Sequence, residues 1–119
     1  ERIDYYNLCD MFILPSKGEG CPALVVLEAL LCGKPVVIGN RECSSADLSS
    51  GELGLMVDPD NIEEIARAIV SIFENKHKKL LKGSVIRQKA IEIYGFSNFR
   101  EKVRNLLAAI DDSRYLDIL

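Results

Sequence analysis

The chain has 119 residues, of which 48% are apolar, so there is room for one domain or part of one. Its formal net charge of −3 gives no reason to expect binding to nucleic acid or to an anionic membrane surface. No apolar run reaches the length of a membrane-spanning helix, and no signal peptide opens the sequence. The sequence begins without Met inside a helix-like pattern, so we expect a fragment of a longer cytoplasmic protein.

The four cysteines, at positions 9, 21, 32 and 43, do not form a metal-binding pattern. No pair has the close spacing that is typical of zinc sites, and the single histidine, His77, lies in a lysine-rich stretch. Three of the cysteines have apolar neighbours, where Cys acts as a small hydrophobic residue. We therefore expect reduced thiols in a cytosolic protein and no metal site.

Residues 10–38 predict a strand, a glycine-containing loop, a helix and a second strand. Pro22 or Ala23 begins the predicted helix and Cys32 ends it, because Pro suits the first helical position and Gly33 stops a helix. Two strands joined through a helix form a right-handed crossover, so these strands should be parallel. With a short helix ahead of them, the predicted elements lie at 1–10, 11–14, 22–32 and 35–38.

The second half of the chain predicts a long polar loop at 39–54, a short strand at 53–57 and then three helices. Asp60 is expected to cap the first of these helices, with Glu63 at the capping-box position, and Ser97 to cap the last. The second and third of these helices are predicted at 84–94 and 98–110. The apolar stripe of the first is predicted to comprise Ile62, Ile65, Ala66, Ile69, Ile72 and Phe73.

Three buried strands that alternate with helices, followed by a helical C-terminal end, are typical of an α/β protein with a parallel sheet. We expect a Rossmann-like three-layer arrangement in a single partial domain, 1–119. Because three strands are few for such a sheet, one edge should be the place where a preceding part of the protein adds strands. Ligands of open parallel sheets bind beyond the carboxyl ends of the strands, so the loops after 11–14 and 35–38 should converge on one crevice.

Glu28 is the only polar side chain between Leu24 and Cys32 of the predicted helix. Its neighbours on the same helix face are apolar, and an unpaired buried carboxylate would be costly. Either Glu28 marks the one wet edge of a core helix, or it hydrogen-bonds a ligand lying at the glycine loop, and the pattern alone leaves both interpretations open. The neighbours at helical spacing are Leu24, Val25, Leu31 and Cys32.

The loop and the helix start favour a ligand that carries both phosphate and hydroxyl groups. A helix start presents unpaired N–H groups and a partial positive charge, and Gly20 allows the backbone to approach a ligand closely. Glu19 and Glu28 are acceptors that suit sugar hydroxyls rather than phosphate. A nucleotide sugar has this layout, with ribose, diphosphate and hexose in a row. Neither a Walker lysine pattern nor G-x-G-x-x-G occurs, which disfavours a P-loop or a standard dinucleotide fold.

Several blocks of the chain together match one protein family, and they comprise Tyr6, Cys9, Asp10, 11–16, Glu19, Gly20, 26–30 and 32–37. These blocks resemble the C-terminal domain of retaining glycosyltransferases of the GT-B fold, the large glycosyl transferases group 1 (GT4) family. The likeness continues through 51–57 and 58–69 and ends near Phe96, so it covers most of the chain. The block at 19–37 is the most specific part.

In such enzymes the donor lies between two Rossmann-like domains. The resemblance implies that Glu19 is the catalytic contact to the transferred sugar and that Glu28 binds the ribose diol. It also implies that backbone dipoles, and neither a metal nor a cofactor, stabilise the leaving diphosphate. The implied donor-binding residues are Glu19, Gly20, Cys21, Ala23, Leu24 and Glu28.

The chain departs from the family pattern at two places. Eight residues separate Glu19 from Glu28, where the family motif has seven. An extra residue in the loop leaves Glu28 on its helical face, whereas one in the helix turns it by about 100°. We expect the loop, because 26–33 matches without a gap. In the loop after Ile38 the family usually places a glutamate, and Asp47 is not assigned to that role.

The resemblance implies a parent enzyme that moves a hexose from a UDP- or GDP-sugar to a glycan, lipid or other acceptor, with retention. Residues 1–58 would form its donor-binding strand–loop–helix–strand region, and 59–119 its helical C-terminal region. The acceptor domain would lie upstream, so we expect no transfer by this chain alone. We also expect association through the incomplete sheet edge, and a parent that lies peripherally at the cytoplasmic membrane face.

Two other classes of function are compatible with the residues. One is a nucleotide-sugar epimerase of related double-Rossmann architecture, which uses a similar donor but inverts it by elimination and re-addition. The other is a regulatory or scaffold α/β domain that binds no nucleotide, which the eight-residue spacing and the small number of strands would fit.

Overall fold

The computed structural model of the protein describes residues 2–18, 23–40, 48, 51–74 and 82–110. Short loops connect most of the helices and strands within these ranges. In chain order the elements are α1 (Arg2–Leu8), β1 (Phe12–Leu14), α2 (Leu24–Leu31), β2 (Val36–Gly39), β3 (Gly54–Val57), α3 (Ile62–Phe73), α4 (Gly83–Tyr94) and α5 (Phe96–Ala109).

The three strands form one parallel sheet in the order β1-β2-β3. Phe12 of β1 lies opposite Val36 of β2, and Val36 lies opposite Gly54 of β3, so the carboxyl ends of all three strands meet at one edge. The predicted α/β class with parallel strands and a helical C-terminal end is confirmed.

Helices cover both faces of the sheet. Successive side chains of a strand point to opposite faces, so neighbouring residues of β2 join different clusters. Val36 and Ile38 of β2 belong to one buried cluster, together with Leu30 of α2 and Ile86 of α4. Val37, between them, belongs to a second buried cluster with α3 residues. The sheet is therefore the middle of three layers, with α2 and α4 on one face and α3 on the other.

The α2 helix is a core helix, as its nearly continuous apolar sequence predicts. Its residues Val26, Ala29 and Leu30 are at most 3% exposed. The turn that follows contains Gly33, with φ of 74°, and packs backbone to backbone against Gly83 at the start of α4. A Cβ on Gly33 would lie 2.5 Å from the carbonyl oxygen of Gly83, so both the conformation and the contact require glycine.

The predicted cap of α3 is wrong by one residue. The side chain of Asn61, not Asp60, accepts a hydrogen bond from the backbone N–H of Glu64, at 3.1 Å. The backbone N–H of Asp60 instead donates to the carboxylate of Asp58, at 3.0 Å. Asp and Asn are both good capping residues, so the spacing alone did not separate them.

The buried face of α3 also differs from the predicted stripe. Ala68 and Ile72 are buried, whereas Ile62 and Phe73 are 81% and 71% exposed. An isoleucine-rich helix offers more than one apolar arc at helical spacing, and contact with β2 and β3 selects the arc around Ala68.

The α5 helix starts two residues earlier than predicted. Gly95 ends α4 and is also the N-cap of α5, with no side-chain capping bond, so Ser97 lies inside the helix. None of the α5 residues is buried. Among the helices that the structure describes, none combines the length and apolar character needed to cross a membrane.

Leu48, from the middle of the predicted polar loop, is part of the core. Leu48 is 2% exposed and belongs to the cluster that joins the sheet to α2 and α4. Residues 41–47, including Asp47, and residues 49–50 lie outside the described part of the chain. The single leucine in a polar stretch was the sequence signal for this anchor.

Candidate functional site

The loops after β1 and β2 leave the sheet side by side at its carboxyl edge. A Cβ placed on Gly39, the last residue of β2, would lie 2.0 Å from the carbonyl oxygen of Ser16, which follows β1. Glycine at position 39 therefore allows the two backbones to touch. The loops after β1 and β2 therefore start next to each other at the carboxyl edge of the sheet. The expected crevice requires this arrangement.

Lys17, which follows Ser16, forms an ion pair with Asp60 in the segment between β3 and α3. The pair brings the loop after β1 to the segment after β3. Both side chains are partly exposed, so the pair adds little to stability. Lys17 was not predicted as a site residue, because its partner is distant in the chain.

The start of α2 has no side-chain cap. Ala23 is the N-cap, with φ of −59° and ψ of 136°, and only its carbonyl takes part in the first turn, accepting from Val26 N–H at 2.9 Å and from Leu27 N–H at 3.2 Å. The first turn carries no acidic residue, and Leu24 is 75% exposed. This helix start can accept an anion without competition from its own side chains.

Of the six predicted donor-binding residues, the structure describes Ala23, Leu24 and Glu28. Glu19, Gly20 and Cys21 lie outside the described residues, so the predicted convergence of the two glutamates stays a prediction. The α2 helix runs without a break on either side of Glu28. The position of the extra residue between the glutamates also stays a prediction, because residues 19–22 are not described.

Glu28 projects toward α1, which supplies two hydrogen-bond donors to its carboxylate. The hydroxyl of Tyr6 donates to Oε2 at 2.8 Å, and Nη1 of Arg2 donates to Oε1 at 3.1 Å. The Glu28 side chain is 37% exposed, which makes it half-buried. The partner that a carboxylate among apolar neighbours needs is thus present within the protein.

The α1 donors were not predicted as site residues. Tyr6 contributed only to the family resemblance, and Arg2 had no predicted role. The available signal was their spacing of four residues, which places them on one face of α1. Their distances along the chain from Glu28, 22 and 26 residues, hid the contact.

The environment of Tyr6 keeps it a neutral donor. Burial raises the pKa of the Tyr6 phenol above its usual 10.0, and the hydrogen bond to Glu28 raises this pKa further. A tyrosine phenol is protonated at neutral pH and can donate to the carboxylate, and the raised pKa extends this donating form to more alkaline pH.

A cavity of about 570 Å³ opens beside the Glu28 carboxylate, between α1, α2 and α4. Its volume falls within the range of small-molecule sites. It combines cationic, carboxylate, phenolic and apolar groups. The lining residues are Arg2, Ile3, Tyr6, Glu28, Leu31, Cys32 and Arg87.

A second cavity, of about 480 Å³, lies at the amino edge of the sheet, where β1 and β2 begin. Cys9, Asp10 and Lys34 contribute its polar groups. No three His, Cys, Asp or Glu side chains come together as a metal site in the part of the chain that the structure describes. The expected metal-free chemistry stays a prediction.

The family model for glycosyl transferases group 1 matches residues 1–75, which include α1, α2, α3 and the whole sheet. The chain belongs to this family. The match extends over α1 with Tyr6, over Glu28 and over the cavity residues other than Arg87.

Named relatives are similar over different parts of the chain. The N,N'-diacetylbacillosaminyl-diphospho-undecaprenol alpha-1,3-N-acetylgalactosaminyltransferase of Campylobacter jejuni is 32% identical over 90 residues, 76% of this chain and 24% of that protein. The D-inositol 3-phosphate glycosyltransferase of Rhodococcus opacus is 38% identical over 69 residues, 58% of this chain and 15% of that protein.

A third relative, a GDP-mannose-dependent alpha-(1-6)-phosphatidylinositol monomannoside mannosyltransferase of Mycobacterium tuberculosis, is 22% identical over 116 residues, 92% of this chain and 30% of that protein. The chain thus spans less than a third of each of these relatives. No solved structure matches the chain at a significant level.

Proposed function

We propose that the chain is the donor-binding part of a retaining glycosyltransferase of the GT-B fold and the GT4 branch. The parent enzyme would move a hexose from a UDP- or GDP-sugar to an acceptor. Residues 1–58 would supply the donor site and 59–119 the helices that support it. Family membership supports this assignment, as do the named relatives, which are transferases of sugars.

The observation that carries the proposal is the setting of Glu28. Its half-buried carboxylate borders a cavity of about 570 Å³ and is held by two donors from α1. A held carboxylate at a cavity can accept hydroxyl groups from a ligand and repels a phosphate. Glu28 therefore suits the ribose diol of a nucleotide sugar.

The start of α2 would hold the diphosphate. Its N–H groups meet no side-chain cap, and the helix dipole favours negative charge at this end. The backbone from Cys21 to Leu24 would donate to the sugar and the distal phosphate, with Gly20 permitting close approach. As the glycosidic bond breaks, these fixed dipoles would stabilise the negative charge on the departing nucleoside diphosphate without a metal.

Glu19 would accept hydrogen bonds from the hydroxyls of the transferred sugar and place its anomeric carbon. Its position directly before the loop glycine supports this role. The acceptor would bind to a part of the parent outside this chain. Two of the named relatives act, by their names, on a diphospho-undecaprenol and on a phosphatidylinositol mannoside, so a lipid-linked acceptor is our proposal for the parent.

Calorimetric titration of the 119-residue chain with UDP and with GDP tests the proposal. We expect one of the two to bind, and Glu28→Gln to weaken that binding by about 10-fold, because hydrogen bonds to an ionised carboxylate are stronger than those to an amide. Glu101→Gln, an exposed change on α5, is the matched control and should leave binding unchanged.

Absence of binding by both nucleotides would contradict the proposal and favour a scaffold domain. Equal affinities of the wild type and Glu28→Gln would remove Glu28 from the donor site. Incubation with labelled nucleotide sugars should give no transfer product, and product formed by the chain alone would show that no upstream domain is needed.

A further inference from the structure

Tyr6 is held in place through both its ring and its backbone. Its ring packs against Phe12 of β1, with centroids 5.8 Å apart and planes inclined by 58°. Its carbonyl oxygen accepts hydrogen bonds from the backbone N–H of Cys9 at 3.3 Å and from the Cys9 thiol at 3.1 Å. Because the side chain and the peptide are both fixed, the hydroxyl has a defined position relative to α2.

The end of α1 is also tied to the structure that carries Glu28. Nζ of Lys34, in the turn after α2, donates to the carbonyl oxygen of Asn7 at 3.2 Å. Tyr6 itself packs against the cluster that contains Val26 and Leu30 of α2. The spacing between α1 and α2 is therefore set by contacts other than the bond from Tyr6 to Glu28.

The hydrogen bonds of Glu28 leave part of its accepting capacity free. A carboxylate has two oxygens with about four acceptor positions in all. Tyr6 occupies one position on Oε2, and Arg2 occupies one on Oε1. Among the residues that the structure describes, no other group occupies the remaining position on each oxygen, and two such positions match the two adjacent hydroxyls of a ribose.

The two donors are not equivalent. The Arg2 side chain is 79% exposed, so solvent competes for its contact with Glu28 and its long side chain is ordered only weakly. Tyr6 is half-buried, and its hydroxyl makes the shorter bond, 2.8 Å. Tyr6 is thus the residue that fixes the rotamer of Glu28.

We propose that Tyr6 is a positioning residue of the donor site, whose hydroxyl orients the Glu28 carboxylate to accept both hydroxyls of the donor ribose. This inference rests on the proposed function, in which Glu28 binds ribose. Orientation before binding lowers the entropy that is lost when the nucleotide binds, because Glu28 does not have to be ordered by the ligand.

A merely structural role for Tyr6 would act on every nucleotide alike. A positioning role acts only on ligands that carry the ribose hydroxyls, and only while Glu28 is a carboxylate. The test therefore compares UDP and GDP with their 2′,3′-dideoxy analogues, by calorimetric titration of the wild type, Tyr6→Phe, Glu28→Gln and the double variant.

We expect Tyr6→Phe to weaken binding of the ribonucleotide by about 5-fold and to leave the dideoxy analogue unchanged. In the Glu28→Gln background the same change should have no further effect. Tyr6→Phe keeps the ring against Phe12, so its thermal midpoint should stay near that of the wild type. Tyr5→Phe, on the neighbouring residue that is 76% exposed, is the matched control.

The titrations distinguish a failure of the proposed donor site from a failure of the positioning role of Tyr6. If the wild type does not prefer the ribonucleotide to its dideoxy analogue, or binds neither, the proposed function of Glu28 is wrong and the role of Tyr6 falls with it. If Glu28→Gln abolishes that preference and Tyr6→Phe does not reduce it, the donor site stands and the positioning role is wrong. An equal loss for both analogues with Tyr6→Phe would show a purely structural role.

Discussion

The helices α2 and α3 begin at the same edge of the sheet, yet their first turns are chemically opposite. At α3 the side chain of Asn61 caps the helix, and Glu63 and Glu64 add negative charge to the first turn. At α2 the N-cap is Ala23, with no capping side chain and no acidic residue in the first turn. The fold supplies two equivalent helix dipoles, and the side chains leave only one of them open to an anion.

Beyond their first turns, α2 and α3 also differ in the number and the surroundings of their polar side chains. On α3, Ala68 and Ile72 are buried against the sheet, and the exposed surface carries charged residues as well as Ile62 and Phe73. On α2 the only polar side chain is Glu28, which borders a cavity and bonds to α1. The proposed donor site uses the helix with the open start and the held carboxylate, and it makes no use of the capped helix.

Giving α2 the kind of start that α3 has should remove the chemical difference between the two helices. Ala23→Asp should weaken UDP or GDP binding by about 10-fold, because the new carboxylate occupies the first-turn N–H groups and repels phosphate. The same change should raise the free energy of unfolding by about 1 kcal/mol through capping. Titration and urea unfolding measure the two effects.

Ala23→Asn separates the two causes, since it caps the helix without adding charge. We expect a similar gain in stability and a smaller loss of affinity. Unchanged nucleotide affinity in Ala23→Asp would show that the start of α2 does not hold the phosphates.

The reverse change removes the cap of α3. Asn61→Ala should lower the free energy of unfolding by about 1 kcal/mol, because the N–H of Glu64 loses its acceptor. It should leave nucleotide affinity unchanged, because α3 takes no part in the donor site. Urea unfolding monitored by circular dichroism provides the measurement. A larger loss from Asp60→Ala than from Asn61→Ala would restore the cap that the sequence predicted.

A smaller change in stability should appear at alkaline pH, through Tyr6, which bonds to Glu28 of α2. The α3 cap should show no such pH dependence. Because the pKa of Tyr6 is raised above 10.0, the folded chain keeps the phenol proton at pH values where the unfolded chain loses it. The resulting stabilisation is complete below pH 10.0 and is lost as the pH rises through the folded-state pKa.

Unfolding free energies between about pH 9 and pH 11 should therefore fall more steeply for the wild type than for Tyr6→Phe. Asn61→Ala, which removes an amide that does not ionise in this range, should run parallel to the wild type. Parallel curves for the wild type and Tyr6→Phe would mean that the phenol of Tyr6 is not held in the folded state.

The strands and α2 could be predicted because their signals are local. Short β-branched runs and a helix bounded by Pro22 and Gly33 place these elements without knowledge of distant contacts. The cap of α3 could not be fixed, because Asp60 and Asn61 are adjacent and both are favourable capping residues. Its buried arc depended on which face met the sheet.

The site was predictable only on the α2 side. Glu28 stood out because its neighbours are apolar, and that local contrast called for a partner. The partner could not be predicted, because Tyr6 is 22 residues away and lies on a short helix whose sequence has no distinctive pattern. Leu48 was missed for a similar reason, since one leucine in a polar stretch gives no period.

The contact between Gly33 and Gly83 bears on how the chain could be divided. It brings the turn after α2 so close to α4 that Ile86 and Ala90 fill the space beside α2. Cutting the chain after position 58 would remove these residues from the part that contains α2 and would expose a face of α2 that has almost no polar group. The two parts therefore share one hydrophobic core, and a side chain at position 33 would push the turn after α2 away from α4.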